Sequence, residues 1–206
     1  MQLTDNQKDA LTELINIGYA RAAGALSDLT GNRIRLEVPQ VAIHSIDEVG
    51  PILKGYLSGD VASVHQVFSG SVSGNALLLM DQPAALLLNS LLTGNESTKQ
   101  TLDTSAREAL TEVGNIVLNA CLGVFGNMLN VHVTFTVPRL NVESISGVLK
   151  SITVAEKELH YALMIQTEFH LRGSDVRGYL VIIMGVTSLD RLLEALVDWE
   201  HRQLNA

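Results

Sequence analysis

The chain has one cysteine, Cys121, among its 206 residues. No disulfide can close within it, and a reducing compartment is its natural setting. Aromatic residues are only 4% of the total, too few for the stacking platforms that hold carbohydrate or single-stranded nucleic acid. Basic residues are also in the minority, with 14 Lys and Arg against 22 Asp and Glu. That balance argues against nucleic acid or an anionic membrane as the main partner, since either calls for a concentrated positive surface. Long apolar runs are missing too: Ala84 to Leu88 and Tyr179 to Met184 are far too short to span a bilayer. The opening stretch from Met1 to Lys8 lacks both the basic start and the apolar run of a secretion signal. The expectation is a soluble, cytoplasmic protein. What is present in quantity is small and aliphatic. Hydrophobic residues make up 47% and charged residues 17%, which excludes disorder and suits tight packing of helices on a sheet.

A search for self-similarity finds one. Glu13, Asn16 and Pro39 recur as Glu112, Asn115 and Pro138, each displaced by 99 residues. Further on, Gly74 to Met80 is answered by Gly178 to Met184, displaced by 104. The expectation is an α+β fold: one domain over residues 1–206, made of two pseudo-symmetric helix–strands–helix repeats (about 1–98 and 99–206) that share one β-sheet. The polar segment Thr93 to Thr101 joins them.

Each repeat opens on a helix, with Thr4 or Asp5 as N-cap in the first and Asp103 or Thr104 in the second. Leu11, Leu14, Ile15, Ala22, Ala25, Leu26 and Leu29 gather on one side of the first helix. Leu110, Val113, Val117, Cys121, Val124, Phe125 and Met128 do so on the second. Gly31-Asn32 and Gly126-Asn127 mark the ends of these helices. Strands are expected over Ile34–Val38, Gly59–Phe68, Gly74–Met80, Val131–Val137, Tyr161–Leu171 and Tyr179–Met184. Gln82–Leu92 and Ser188–His201 are expected as the closing helices.

The opposite side of the two opening helices carries the functional argument. Residues three and four apart stack on one face of a helix, so Asp9, Glu13 and Asn16 form a polar ridge, and Glu108, Glu112 and Asn115 form its counterpart. For one helix alone, a solvated face is explanation enough. Here the ridge is duplicated in phase, each Asn is followed 23 residues later by a proline, and Ala20 and Ala23 leave room beside the first ridge. An Asn in mid-helix is also a mediocre helix former. Two at equivalent places point to function.

Asp9-x3-Glu13-x2-Asn16-x22-Pro39 resembles the signature of the CheC, CheX and FliY chemotaxis phosphatases. Glu13-Leu-Ile-Asn-Ile-Gly18 and Glu112-Val-Gly-Asn-Ile-Val-Leu-Asn119 are similar to that family's first and second motif helices. The resemblance covers essentially the whole chain, and two copies of the motif at this length point to the CheC branch. A flagellar-switch relative would be expected to carry an additional domain, for which this length leaves no room.

The resemblance implies a hydrolase that removes the aspartyl phosphate of a CheY-type response regulator. It implies catalytic roles for Glu13, Asn16, Glu112 and Asn115, with Asp9 and Glu108 in support and the motif helices on the surface. The Asn would place a water for in-line attack, and the Glu would dock on the regulator's lysine. No cofactor is expected on this chain; Mg²⁺ is expected on the partner regulator. Two departures stand out. Glu108 replaces the family's Asp or Ser, and Tyr19 and Arg21 stand where the family has smaller residues and are expected to limit access to the first site.

The remaining features read blandly. The six histidines include no pair at helical ligand spacing, so no metal site is expected. Cys121 lies on the apolar stripe as a small hydrophobe, Gly70 to Gly74 lacks the lysine of a phosphate loop, and Trp199 is a core or interface anchor. The rival function is a non-catalytic binding module for a response regulator or for the receptor deamidase CheD. A homo-oligomeric scaffold is the third reading, and the oligomeric state stays open.

Overall fold

The computed structural model describes residues 3–37, 41–94, 101–128, 130–153, 160–171 and 173–204. In chain order the elements are α1 (Asp5–Thr30), β1 (Ile34–Glu37), β2 (Val41–Ser45), α2 (Ile46–Tyr56), β3 (Asp60–Gly70), β4 (Gly74–Asp81) and α3 (Gln82–Thr93). They continue as α4 (Thr104–Met128), β5 (Val133–Phe135), β6 (Arg139–Ser144), α5 (Ile145–Thr153), β7 (His160–Leu171), β8 (Ser174–Gly185) and α6 (Val186–Leu204). The fold is α+β, with six helices among the described residues on a curled antiparallel sheet.

Local chemistry sets where the two long helices begin. In α1, Thr4 Oγ1 accepts from the Gln7 amide at 3.2 Å while Gln7 Oε1 accepts from the Thr4 amide at 3.0 Å, a reciprocal capping box. In α4, Asp103 Oδ1 accepts from the Ala106 amide at 2.9 Å. Gly31, at φ 65, closes α1 in the left-handed conformation that glycine adopts most readily and asparagine less often. The expected stop of α4 at Gly126-Asn127 is not observed: the helix runs on to Met128, and the left-handed residue is Asn130, at φ 55. A glycine inside a helix costs only about 1 kcal/mol relative to alanine, and the buried Val124 and Phe125 anchor the last turns through it.

Four elements, β2, α2, β6 and α5, lie outside the stretches where the sequence pattern predicts structure. Helix α2 contains Gly50 and Pro51, which read as breakers. It forms because Val49 and Leu53 are wholly buried, and tertiary packing outweighs propensity in so short a helix. Glu48 helps by accepting from the Ser45 amide at 2.9 Å.

The strands run β1–β7–β8–β4–β3–β5, with β2 also pairing with β7 and β6 also pairing with β3. Thus the early strands β1 and β2 find their partner late in the chain, while β5 and β6 return to the early strand β3. Strands β4 and β8 pair at the centre. Side chains alternate between two apolar layers. On one face Ala76, Leu78, Leu180 and Ile182 pack with α1, α3, α4 and α6; on the other Leu77, Leu79, Val181 and Ile183 pack with α2 and α5. Trp199 is buried in the first layer. By composition the stretch Thr104–Asn127 is long and apolar enough to cross a membrane, but half of it is buried inside the fold.

Two glycines set how closely these layers approach. A Cβ at Gly18 of α1 would lie 3.0 Å from Cys121 Cα of α4, and one at Gly114 of α4 would lie 2.4 Å from Val64 Cγ1 of β3. Helix α4 therefore rests directly on β3 at Gly114. We expect Gly114→Ala to destabilise the protein by about 1–3 kcal/mol through overpacking, despite alanine's better helix propensity. Adding Val64→Ala should recover part of the loss. Urea denaturation of the single and double variants measures both, and an unshifted midpoint in Gly114→Ala would refute the close approach.

Candidate functional site

The apolar stripes point where periodicity places them, with corrections at their ends. Leu11, Leu14, Ile15, Ala22 and Leu26 are buried, whereas Leu29 is 59% exposed and Ala25 faces solvent. On α4, Leu110, Val113, Val117, Cys121, Val124 and Phe125 are all buried, and the side chain of Met128 lies outside the described residues. With these faces fixed, Asp9, Glu13 and Asn16 on α1 and Glu108 and Glu112 on α4 are exposed, and Asn115 is half-buried. Thr12 and Thr111, each one residue before a ridge glutamate, return a hydrogen bond to the carbonyl four residues back, at 2.8 and 2.7 Å. Asp9 and Glu108 make no hydrogen bond or ion pair among the described residues. Pro138 is buried just before β6; its counterpart Pro39 lies outside the described residues.

The two asparagines differ in their surroundings. Asn115 is the end of a polar relay that runs into the sheet. The Thr136 carbonyl accepts from Gln66 Nε2 at 2.8 Å, and the same nitrogen donates to Asn119 Oδ1 at 3.0 Å. Asn119 Nδ2 then donates to Asn115 Oδ1 at 2.7 Å. A carbonyl can only accept, so Thr136 fixes which way the Gln66 amide points, and each amide in turn fixes the next. The consequence is that Asn115 has its oxygen held from within the protein, while its NH₂ has no partner among the described residues. Asn16 has no such support, because Ala20 stands where α4 has Asn119, and its amide makes no hydrogen bond among the described residues.

Gln66 and Thr136 belong to no motif, and the sequence reading missed them. The available signal was Gln66 itself, a polar residue in the inward phase of β3 between Val64 and Phe68. It is almost fully buried, as costly as any amide in an apolar layer unless hydrogen-bonded.

The expectation that Tyr19 limits access to the first ridge is overturned. Tyr19 is 1% exposed and points into the core, where its hydroxyl is hydrogen-bonded to Thr167 Oγ1. Burial pushes its phenol well above the usual tyrosine range, and the neighbouring Cys121 adds to the shift. Arg21 is exposed. Cys121 is fully buried and burial pushes its thiol up as well, which suppresses the thiolate and leaves it a packing residue. Chemically, each ridge offers solvent a neutral amide that can order a water and a carboxylate with no paired cation among the described residues.

No family model matches the chain. It is 22% identical over 200 residues to the CheY-P phosphatase CheC of Bacillus subtilis, a match covering 94% of this chain and 95% of that protein. Among solved structures it resembles Thermotoga maritima FliY with a TM-score of 0.79 at 19% identity, over 97% of this chain and all of that one. It also resembles the FliM middle domain from H. pylori, with a TM-score of 0.66 at 15% identity, over 94% and 99% of the two chains. The chain shares its fold with these two structures.

The relay should restrict the Asn115 side chain and leave that of Asn16 mobile. Side-chain amide order parameters by NMR are expected to be higher for Asn115 than for Asn16, and to fall to the Asn16 level in Asn119→Ala. Equal values for the two residues in the unaltered protein would show that the relay does not hold Asn115.

Proposed function

Since the chain belongs to the CheC/FliY/CheX family, we propose that it is a cytoplasmic phosphatase that hydrolyses the aspartyl phosphate of a CheY-type response regulator. We take α1 and α4 as opening helices of two copies of one unit, each with a Glu–Asn pair. The observation that carries the reading is the surface amide of Asn115, oriented from inside the fold by Asn119 and Gln66 beside the exposed Glu112.

In this mechanism the regulator brings its acyl phosphate and its own Mg²⁺, which neutralises the phosphoryl oxygens. Asn115 enters beside the phosphoryl group and holds one water in line with the bond to be broken. Its free NH₂ donates to that water, and the amide is neutral, so it adds no repulsion to a phosphoryl group. The water oxygen forms the new P–O bond, the bond to the aspartate oxygen breaks, and inorganic phosphate leaves. No covalent intermediate on this chain is needed. A water-positioning glutamine does the same work in GTP hydrolysis. If ordering the water accelerates hydrolysis about a hundredfold, it lowers the barrier by roughly 2.7 kcal/mol. Glu112 and Glu13 pair with the regulator's active-site lysine and set the register of the docked helix.

One observation favours a second reading for part of the molecule. The α1 ridge is exposed like the α4 ridge but has no relay behind Asn16, which suits a surface that binds a regulator with little turnover. The two sites are accordingly unequal. The ground is orientation of the amide rather than obstruction by Tyr19, which is buried.

Release of inorganic phosphate from a phosphorylated CheY-type regulator tests the proposal. Asn16→Ala with Asn115→Ala should abolish the stimulation without loss of fold or of regulator binding, and Asn115→Ala alone should cost more than Asn16→Ala. Unchanged turnover in the double variant would sink the mechanism.

Charge reversal separates docking from chemistry. Glu13→Lys with Glu112→Lys should weaken the complex at least tenfold, about 1.4 kcal/mol, and change the maximal rate less. Normal affinity in that variant, measured by calorimetry, would remove the docking role.

A further inference from the structure

On the sheet face that packs with α2 and α5, strands β1, β7 and β8 bring together charged residues that take no part in the ridges. Glu37 stands directly opposite Glu168 in the β1–β7 register, and Arg35 opposite His170. In the next ladder Arg177 faces Glu168 and Asp175 faces His170. Two carboxylates placed opposite each other in an antiparallel pair repel; Arg35 and Arg177 each pair with one oxygen of one of them, which leaves the second oxygens facing the space between the strands.

Each carboxylate is oriented through one oxygen. Arg35 Nη2 donates to Glu37 Oε1 at 3.0 Å. Arg177 Nε and Gln166 Nε2 donate to Glu168 Oε1 at 3.1 and 3.3 Å. The Oε2 atoms of both glutamates receive none of these bonds. His170 is oriented in the same manner, its Nδ1 lying 2.6 Å from Asp175 Oδ1. A carboxylate only accepts, so Nδ1 carries the proton and Nε2 is turned toward the glutamates. That Nε2 is a buried atom without a hydrogen-bond partner among the described residues, within ion-pair reach of Glu37 Oε2 at 3.4 Å. Two ligands on a tetrahedral zinc with bonds of about 2.0 Å stand about 3.3 Å apart. Glu37, Glu168 and His170 each offer one ligand atom, all within 4.8 Å of one another.

We propose that Glu37, Glu168 and His170 form a binding site for a divalent cation of the zinc type, with Asp175 holding the imidazole in the ligating tautomer. An imidazole with two carboxylates is a donor set that zinc accepts. Two anionic ligands balance the charge of the ion, and a carboxylate on the far nitrogen of a ligating histidine is the usual second support of such sites. Bound there, the cation ties the short edge strand β1 to β7. A search at helical spacing passes over these residues, because they become neighbours only across strands.

The test is calorimetric titration of the chelator-treated full chain with ZnCl₂, with MgCl₂ and CaCl₂ in parallel. One saturable zinc site is expected, at least tenfold tighter than for either hard cation, together with a zinc-dependent rise in melting temperature. His170→Ala should abolish it. Glu37→Gln alters a half-exposed side chain and is safe for folding; it should weaken binding at least tenfold, and Asp175→Asn about tenfold. Absence of saturable zinc binding overturns the proposal, as does unchanged affinity in Glu37→Gln, the result expected if other histidines alone chelate the ion.

Discussion

The exchange of strands across the sheet is the constraint on which the rest of the molecule depends. Because β1 and β2 pair with β7 while β5 and β6 pair with β3, neither end of the chain can complete its ladder without the other. Dividing the chain between α3 and α4 would strip both sets of their partners and leave open edges. The same exchange leaves β4 and β8 at the centre, buried on both faces, and gives α1 and α4 one common apolar layer to lie on. The approach of the two helices at Gly18 and Cys121, and of α4 to β3 at Gly114, follows from that shared seat.

That seat also makes the two ridges unlike. A buried amide in an apolar layer must be hydrogen-bonded or it destabilises the fold by roughly 1–3 kcal/mol. Gln66 meets the requirement at its nitrogen, which donates to the Thr136 carbonyl and to Asn119, while its Oε1 is buried with no partner among the described residues; the bonds that hold the Gln66 nitrogen also orient a surface amide. Under α1 the corresponding depth is filled by Tyr19 and Thr167, a bond that ends inside the core and reaches no ridge residue.

Charge is distributed with similar economy. The apolar layers take nearly all of both sheet faces, and the charged ladder of Arg35, Glu37, Glu168, His170, Asp175 and Arg177 lies toward the β1 end of β7 and β8. There β1 supplies an edge, and polar side chains can stay partly solvated.

Much of this was legible in the order of residues alone. The phase of Leu11, Leu14, Ile15 and Leu26 against Asp9, Glu13 and Asn16 determined which side of α1 faces solvent, since a helix with one apolar stripe has one way to bury it. The same held for α4, and the pairs Thr4-Asp5 and Asp103-Thr104 marked where both begin, with the structure selecting Thr4 and Asp103. Tertiary structure decided what local pattern cannot encode. It kept α2 helical through Gly50 and Pro51 because Val49 and Leu53 are buried, and it carried α4 past Gly126. It turned Tyr19 inward, where the sequence suggested an obstacle. It also set Gln66 beneath Asn119, and Glu37 opposite Glu168 and diagonal to His170. Those pairings join residues far apart in the chain, and strand register, which only the assembled sheet defines, determines which of them meet.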